Sequence, residues 1–282
     1  MGCGDCRSTR RPRRRFRGAV ALNPGHARTL TDLSALYARA GRFEDQLGVL
    51  ERALARLPQD DDLAEGMLAA DLNMGRYGAA AQLIAAHPFA PRHRTYSLRD
   101  KYRLMRYATG AQAFQRGDFG KAADLFESAL HPPVSLGIDD FQFQASPRQS
   151  YYLGRALEAL GRKTEARQAY EKGVSGIDHL SGDRDSWNSE NFFMVLALDR
   201  LDRSDDAARL AQHFENFAQS EVDDRSATHR AEARYLLGLL RKRAGRLADA
   251  HRLMSSAVEA QPDLLAARLE LRGDVIDPLP HL

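Results

Sequence analysis

Apolar residues recur along the chain at intervals of three and four, in blocks that come in pairs. In the first clear pair Leu30, Leu33 and Tyr37 precede Gly41, and Phe43 and Leu50 follow it. This spacing puts one apolar face on a helix, a break at the glycine, and an apolar face on a second helix. Gly75, Gly117, Gly161 and Gly245 mark the same break further on. Glycine enters the left-handed backbone region without the cost other residues meet there, so it stops a first helix. Pro24, Pro58 and Pro262 end second helices, because proline lacks the N–H that a helix interior needs. The pattern predicts helix–turn–helix units over about 27–60, 61–90, 97–133, 147–175, 188–218 and 229–262, with a partial unit at 16–24 and a last, capping helix at 264–272. Ser146-Pro147 reads as an N-cap followed by proline at the first helical position. Ser97-Leu-Arg-Asp100 reads as a capping box.

The units share a residue register. Residues 153–170 read LGRALEALGRKTEARQAY and residues 237–254 read LGLLRKRAGRLADAHRLM. Residues 109–126 repeat the frame with Gly110, Gly117, Ala122 and Phe126. Small residues (Gly110, Gly154 and Gly238; Ala80, Ala122, Ala166, Ala207 and Ala250) allow two helices to approach closely. Large ones (Leu50, Phe126, Tyr170 and Met254) fill the space beside them. Ala19 and Ala53 stand 34 residues apart. These residues and spacings resemble the tetratricopeptide repeat (TPR) family, whose units are 34-residue helix pairs. The resemblance covers most of residues 16–262 and implies an all-α solenoid of about six TPR-type repeats plus the partial first repeat. It also implies a non-enzymatic protein–protein interaction scaffold that binds a peptide or partner segment along a concave groove.

Family geometry places the fifth residue of each first helix in that groove. In the last four units this gives Tyr107, Tyr151, Phe192 and Tyr235, followed one turn on by Ala111, Arg155, Leu196 and Leu239. Arg148, Arg155, Arg200 and Arg243 flank the same side. Such a column could grip an extended peptide or a helix by stacking and charge pairing. Equally, the aromatics could pack between neighbouring first helices. The carboxylate clamp of chaperone-binding relatives uses Asn and Lys at these positions, which the chain does not have.

Later units are separated by insertions. Residues 132–146 include Asp139, Asp140, Phe141 and Phe143, and residues 174–189 include Asp183, Arg184, Asp185, Trp187 and Asn188. Trp187 among acids and amides suits a stacking surface for a sugar or peptide. The competing reading has Phe141, Phe143 and Trp187 pinning long loops, with Asp185, Asn188 and Ser189 as helix caps. From His87-Pro88-Phe89, through a Tyr/Arg-rich helix, to the frame AxxLFESALxPPxSLG at residues 122–137, the chain resembles the TPR tail of a bacterial protein type. In that type the tail follows β-rich, carbohydrate-enzyme-like domains of unknown function. This implies an alternative role as a C-terminal accessory module of a larger carbohydrate-active protein, with the two loops contributing to a composite site.

Composition agrees with helices: Ala (43) and Leu (37) dominate, while Val and Ile together number 12, too few to fill sheet faces. The net charge of +3 divides unevenly. Residues 1–17 hold seven arginines and Asp5, a balance of +6, which leaves −3 for the rest. The basic character thus belongs to an arm, residues 1–15, expected to be disordered, so nucleic acid is not an expected partner of the body. The first repeat begins mid-helix at Phe16, and residues 1–15 are expected to be a non-native lead-in. Cys3 and Cys6 lack further metal ligands nearby. No apolar run of 18 residues is present, and a cytoplasmic location is expected. No HExxH, GxSxG, P-loop or GxGxxG motif occurs. Asp139/Asp140 and Asp183/Asp185 are paired acids on loops, and no ligand spacing supports a metal cluster of His131, Asp178 and His179. The expectation is no catalytic residue, metal or cofactor.

Overall fold

The computed structural model of the protein describes residues 26–90, 96–137, 146–180 and 186–276. The basic arm and the partial repeat at 16–24 lie outside the described residues. Among these residues there are thirteen α-helices and no strand, the all-helical fold that the low Val and Ile content requires. Six consecutive pairs are α1 (Ala27–Arg39) with α2 (Phe43–Leu54), α3 (Asp61–Asn73) with α4 (Tyr77–Ala86), α5 (Tyr96–Gln115) with α6 (Phe119–Ser128), α7 (Pro147–Ala159) with α8 (Lys163–Val174), α9 (Phe193–Arg200) with α10 (Ser204–Glu221), and α11 (Ala227–Arg243) with α12 (Leu247–Ala260). A last helix, α13 (Leu265–Arg272), follows.

Six left-handed residues close the six pairs. Gly41, Gly75, Gly117, Gly161 and Gly245 have φ between 66° and 79°, and Asp202 takes the same place in the α9–α10 turn with φ 58°. In each turn the next N–H reaches back five residues, as from Arg162 to the Leu157 carbonyl (2.9 Å) and from Arg203 to that of Leu198 (3.0 Å). This bond satisfies a carbonyl that the ending helix would otherwise leave open. Aspartate substitutes because its short side chain tolerates this region better than most.

Inside the pairs, close approach is set by residues sixteen apart. A Cβ added to Gly154 would meet the Tyr170 ring at 2.3 Å, one on Gly110 the Phe126 ring at 2.4 Å, and one on Gly238 the Met254 side chain at 2.8 Å. In the α9–α10 pair the same register holds Val195 and Ala211, both buried, so the larger residue has moved to the first helix.

The backbone divides into two compact units, one up to Lys101 together with Pro133–Ile138, the other Tyr102–Pro132 and the chain from Asp139 onward. In the first, α1, α2 and the start of α3 bury Leu30, Leu33, Tyr37, Val49, Leu50, Ala53 and Leu63. The Ser34 and Gln46 side chains bond at 3.2 Å within it. His87, at a position that is small in most other pairs, is buried against Asp61 (2.8 Å), whose second oxygen accepts the Ala90 N–H (3.1 Å). The Phe89 N–H donates to the Ser135 carbonyl (2.8 Å), tying the short turn Val134–Leu136 to this unit. In the second unit one continuous apolar core runs from α5 to α13.

Two expected caps differ in detail. Ser97 lies inside α5, and its hydroxyl donates to Glu65 (2.6 Å), a carboxylate that Lys101 also pairs with (2.9 Å). A charged acceptor is the stronger partner, so no capping box forms there. Ser146 does occupy the N-cap of α7, with Pro147 next, but its side chain caps nothing in its own helix and donates to Glu190 (3.1 Å). His26, Asp60, Asp118 and Ser226 do accept N–H bonds at the starts of α1, α3, α6 and α11.

Gly154→Ala is expected to lower stability by about 1–3 kcal/mol through overpacking, whereas Asp202→Gly, which relieves a left-handed non-glycine residue, raises the melting temperature. Thermal denaturation of the two variants checks both signs. Burial raises the pKa of Asp71, only partly offset by Arg76, whose Nε lies 3.2 Å away. A carboxyl with a raised folded pKa opposes folding when ionised, and that penalty disappears as pH falls through its folded value. Asp71→Asn should therefore stabilise the chain near pH 7, with the gain shrinking toward pH 4, as read from melts across that range.

Candidate functional site

The column Tyr107, Tyr151, Phe192 and Tyr235 is fully buried, 0–1% exposed. Of the two readings the sequence left open, this burial agrees with packing: the rings lie between neighbouring helices. Tyr107 meets Tyr152 edge-on at 5.6 Å, Tyr151 meets Phe193 at 5.8 Å, and Phe192 meets Phe214 at 6.0 Å. Burial raises the pKa values of Tyr107, Tyr152 and Tyr235, so these phenols stay neutral at physiological pH.

Arg148 sits among them, 1% exposed. Its guanidinium lies 4.6 Å from the Phe193 ring centre and 5.6 Å from that of Tyr107. Its Nε is 3.0 Å from Glu190, and Nη2 donates to the Tyr235 hydroxyl at 3.5 Å. Burial alone would lower its pKa, but Glu190 and the phenols more than offset that and raise it. The partners Tyr152, Phe193 and Glu190 were not legible as a cluster, because they belong to different helices or turns.

The other arginines form a row along the C-terminal ends of α7, α9 and α11. Arg155 bonds the Tyr151 hydroxyl (3.0 Å) and lies 3.7 Å from Glu158. Glu158 is also 3.7 Å from Arg200. Arg243 grips Asp199 with two bonds of 2.8 Å, which raise its pKa. Arg155 is buried, while Arg200 and Arg243 are half-buried. The expected cationic residues thus share one side with Asp199 and Glu158 between them.

Among the loop residues, Asp139, Asp140 and Asp185 lie outside the described residues. Trp187 stacks on His213 at 5.6 Å and meets Phe214 edge-on at 5.2 Å, so its ring anchors the turn before α9. The Asn188 side chain accepts the Asn191 N–H at 2.9 Å, and Asn191 donates to the Ser186 carbonyl at 3.0 Å. These turns delay the start of α9 to Phe193. The Trp187 contacts are those of an anchor, whereas Asn188 bonds within the turns and the N-cap of α9, Phe192, receives no side-chain bond. Among the described residues, one His/Asp/Glu group has its ligand atoms mutually within 4.8 Å: Glu221, Asp224 and His229, all partly buried. Asp224 there accepts the Ser226 N–H (2.7 Å) and lies 3.1 Å from His229 Nδ1, an arrangement that builds the entry to α11.

A family model described as tetratricopeptide repeat matches residues 9–61 and 138–178. No curated protein sequence matches the chain. A tetratricopeptide repeat protein from Parabacteroides merdae is similar in structure at 13% identity, over 93% of this chain and 90% of that one, with a TM-score of 0.46. YrrB, described as a TPR protein with an unusual peptide-binding site, is similar at 16% identity, over 91% and 97% of the two chains, with a TM-score of 0.26. No helix among the described residues is long and apolar enough to cross a membrane.

Glu190→Ala leaves the buried Arg148 charge without its carboxylate and is expected to cost roughly 1–3 kcal/mol. Arg148→Met with Glu190→Gln removes both charges and should recover most of that loss. Urea denaturation of the single and the double variant measures the loss and its recovery. A Glu190→Ala cost of only a few tenths of a kcal/mol, ordinary for a surface acid, would contradict the pairing.

Proposed function

We propose that this tetratricopeptide repeat chain acts as an interaction scaffold whose second unit takes a partner protein segment along its first-helix face, with Arg200 and Arg243 as the outward cationic contacts. The observation that carries this reading is the row Arg155, Glu158, Arg200, Asp199 and Arg243. It sets charges of both signs along three successive first helices, each fixed by a rigid core. Repeat proteins use such stacked faces to bind extended partners, since each unit adds an equivalent contact. Tyr107, Tyr151, Phe192 and Tyr235 serve this role by holding the helices in register, and Arg155 by fixing the floor of the row. The tetratricopeptide fold is that of an interaction module, and the neutral buried phenols offer no general base.

The test is selection of a displayed library of random 12-residue peptides on the full chain. Enriched peptides should lose at least tenfold in affinity on Arg200→Glu/Arg243→Glu, with the helical signal and melting profile retained. No enrichment, or enrichment indifferent to the reversal, would overturn the proposal.

A further inference from the structure

After α13 the chain does not leave the second unit. Gly273 turns it with φ 72°, and the next residues return to α5, the first helix of that unit. The Gln115 side-chain amide donates to the carbonyls of Gly273 (2.7 Å) and Val275 (3.2 Å). The Gln112 amide donates to the Asp274 carboxylate (3.0 Å), which Arg272 also holds (2.9 Å). Val275 and Ile276 are each 4% exposed. At the other end Glu270 of α13 is bonded to Lys242 of α11 (2.7 Å) and is close enough to help raise the pKa values of Tyr152 on α7 and Tyr235 on α11. One segment therefore touches first helices from both ends of the unit, α5 and α11.

A helix that only caps a repeat array needs to cover the last pair. This segment covers α12 and goes on to α5, where two glutamines meet it. One of them reads main-chain carbonyls alternate along the segment, the way a groove holds an extended peptide regardless of its side chains. The specificity lies in the side chains: acids at Glu270 and Asp274 opposite Lys242 and Gln112, then two aliphatic residues in buried positions.

We infer that residues 270–276 are an internal ligand of the first-helix face, and that the partner suited to this face is a protein segment of the same chemistry, two acids four residues apart followed directly by two aliphatic residues. The segment fills the α5 end of the face until such a partner displaces it. This rests on the reading that the face takes a partner segment.

The experiment uses the full chain and a fluorescein-labelled peptide of residues 265–276. Asp274→Ala/Val275→Ser/Ile276→Ser weakens the segment in place and leaves the receiving helices untouched. Hydrogen exchange at 273–276 should quicken at least tenfold, and the peptide should bind the variant at least tenfold more tightly than the unaltered chain. Adding Gln112→Ala/Gln115→Ala to the variant should abolish that gain. Release of the segment without peptide binding overturns the inference. So does unchanged exchange, or a loss of the helical signal on the triple substitution, since either makes the segment a fixed structural cap. None of these results alters whether library peptides depend on Arg200 and Arg243, so the two readings fail separately.

Discussion

Three helix pairs in this chain are each held by a single shared volume. The first helix presents a residue near its end, and sixteen residues later the second helix presents another that must fit against it. Gly154 with Tyr170, Gly110 with Phe126 and Gly238 with Met254 place the large member on the second helix, close enough that one added carbon would collide. Interiors are packed too densely to absorb such a carbon without moving a helix. Once this contact sets the distance between two helices, the left-handed residue midway between the two positions sets their angle. Which side chains of the first helix face its neighbours then follows.

That dependence explains what was legible in the sequence. The turn glycines and the small–large register are local, within seven to sixteen residues, so spacing alone reveals them. Asp202 was harder, because its left-handed backbone carries no glycine to announce it. The α9–α10 pair also reverses its volumes, with Val195 and Ala211 in place of a small–large order, so the pattern there is silent. The aromatic column was found by register, but the sequence left its role open between groove and packing. Tyr107 and Tyr151 meet rings of the next pair, Tyr152 and Phe193, and a ring at such a position fills the space between pairs before it reaches solvent. Trp187 and Asn188 could be named from the sequence, and the Asn188–Asn191 bond is local, but His213 and Phe214, which fix the role of Trp187, could not be paired with it by any short-range rule. The α5 contacts of the chain end are the extreme case, since Gln112 and Asp274 are 162 residues apart.

Arg148 shows why a buried cation persists in a core of this kind. Its guanidinium is planar and weakly hydrated, so it stacks between Phe193 and Tyr107 while its edge meets Glu190 and Tyr235. The carboxylate is partly exposed and the arginine is not. Desolvation therefore falls mainly on one partner, and the rings recover part of it. A buried pair of this sort adds little to net stability, and removing one member is what costs. Its value is geometric: side chains from α5, α7, α9 and α11 all meet one planar group, which fixes their mutual rotation beneath the ionic row.

If residues 270–276 occupy the face as proposed, they set a threshold for any partner. The helix that carries the segment, α13, is joined to α12 by the few residues Gln261–Leu264, so the segment cannot diffuse away. A short tether holds a ligand at an effective concentration of order millimolar. A partner present at about 1 μM starts at a disadvantage of roughly a thousandfold, or about 4 kcal/mol. It overcomes this only by contacts the internal segment does not make. The row from Glu158 to Arg243 offers them, because Arg200 remains partly exposed while Lys242 is already engaged by Glu270. On the proposed reading, discrimination on this face arises from two regions acting together. In it the α5 end would select the acid–aliphatic pattern, and the row from Glu158 to Arg243 would supply the surplus that lets a longer partner displace residues 270–276.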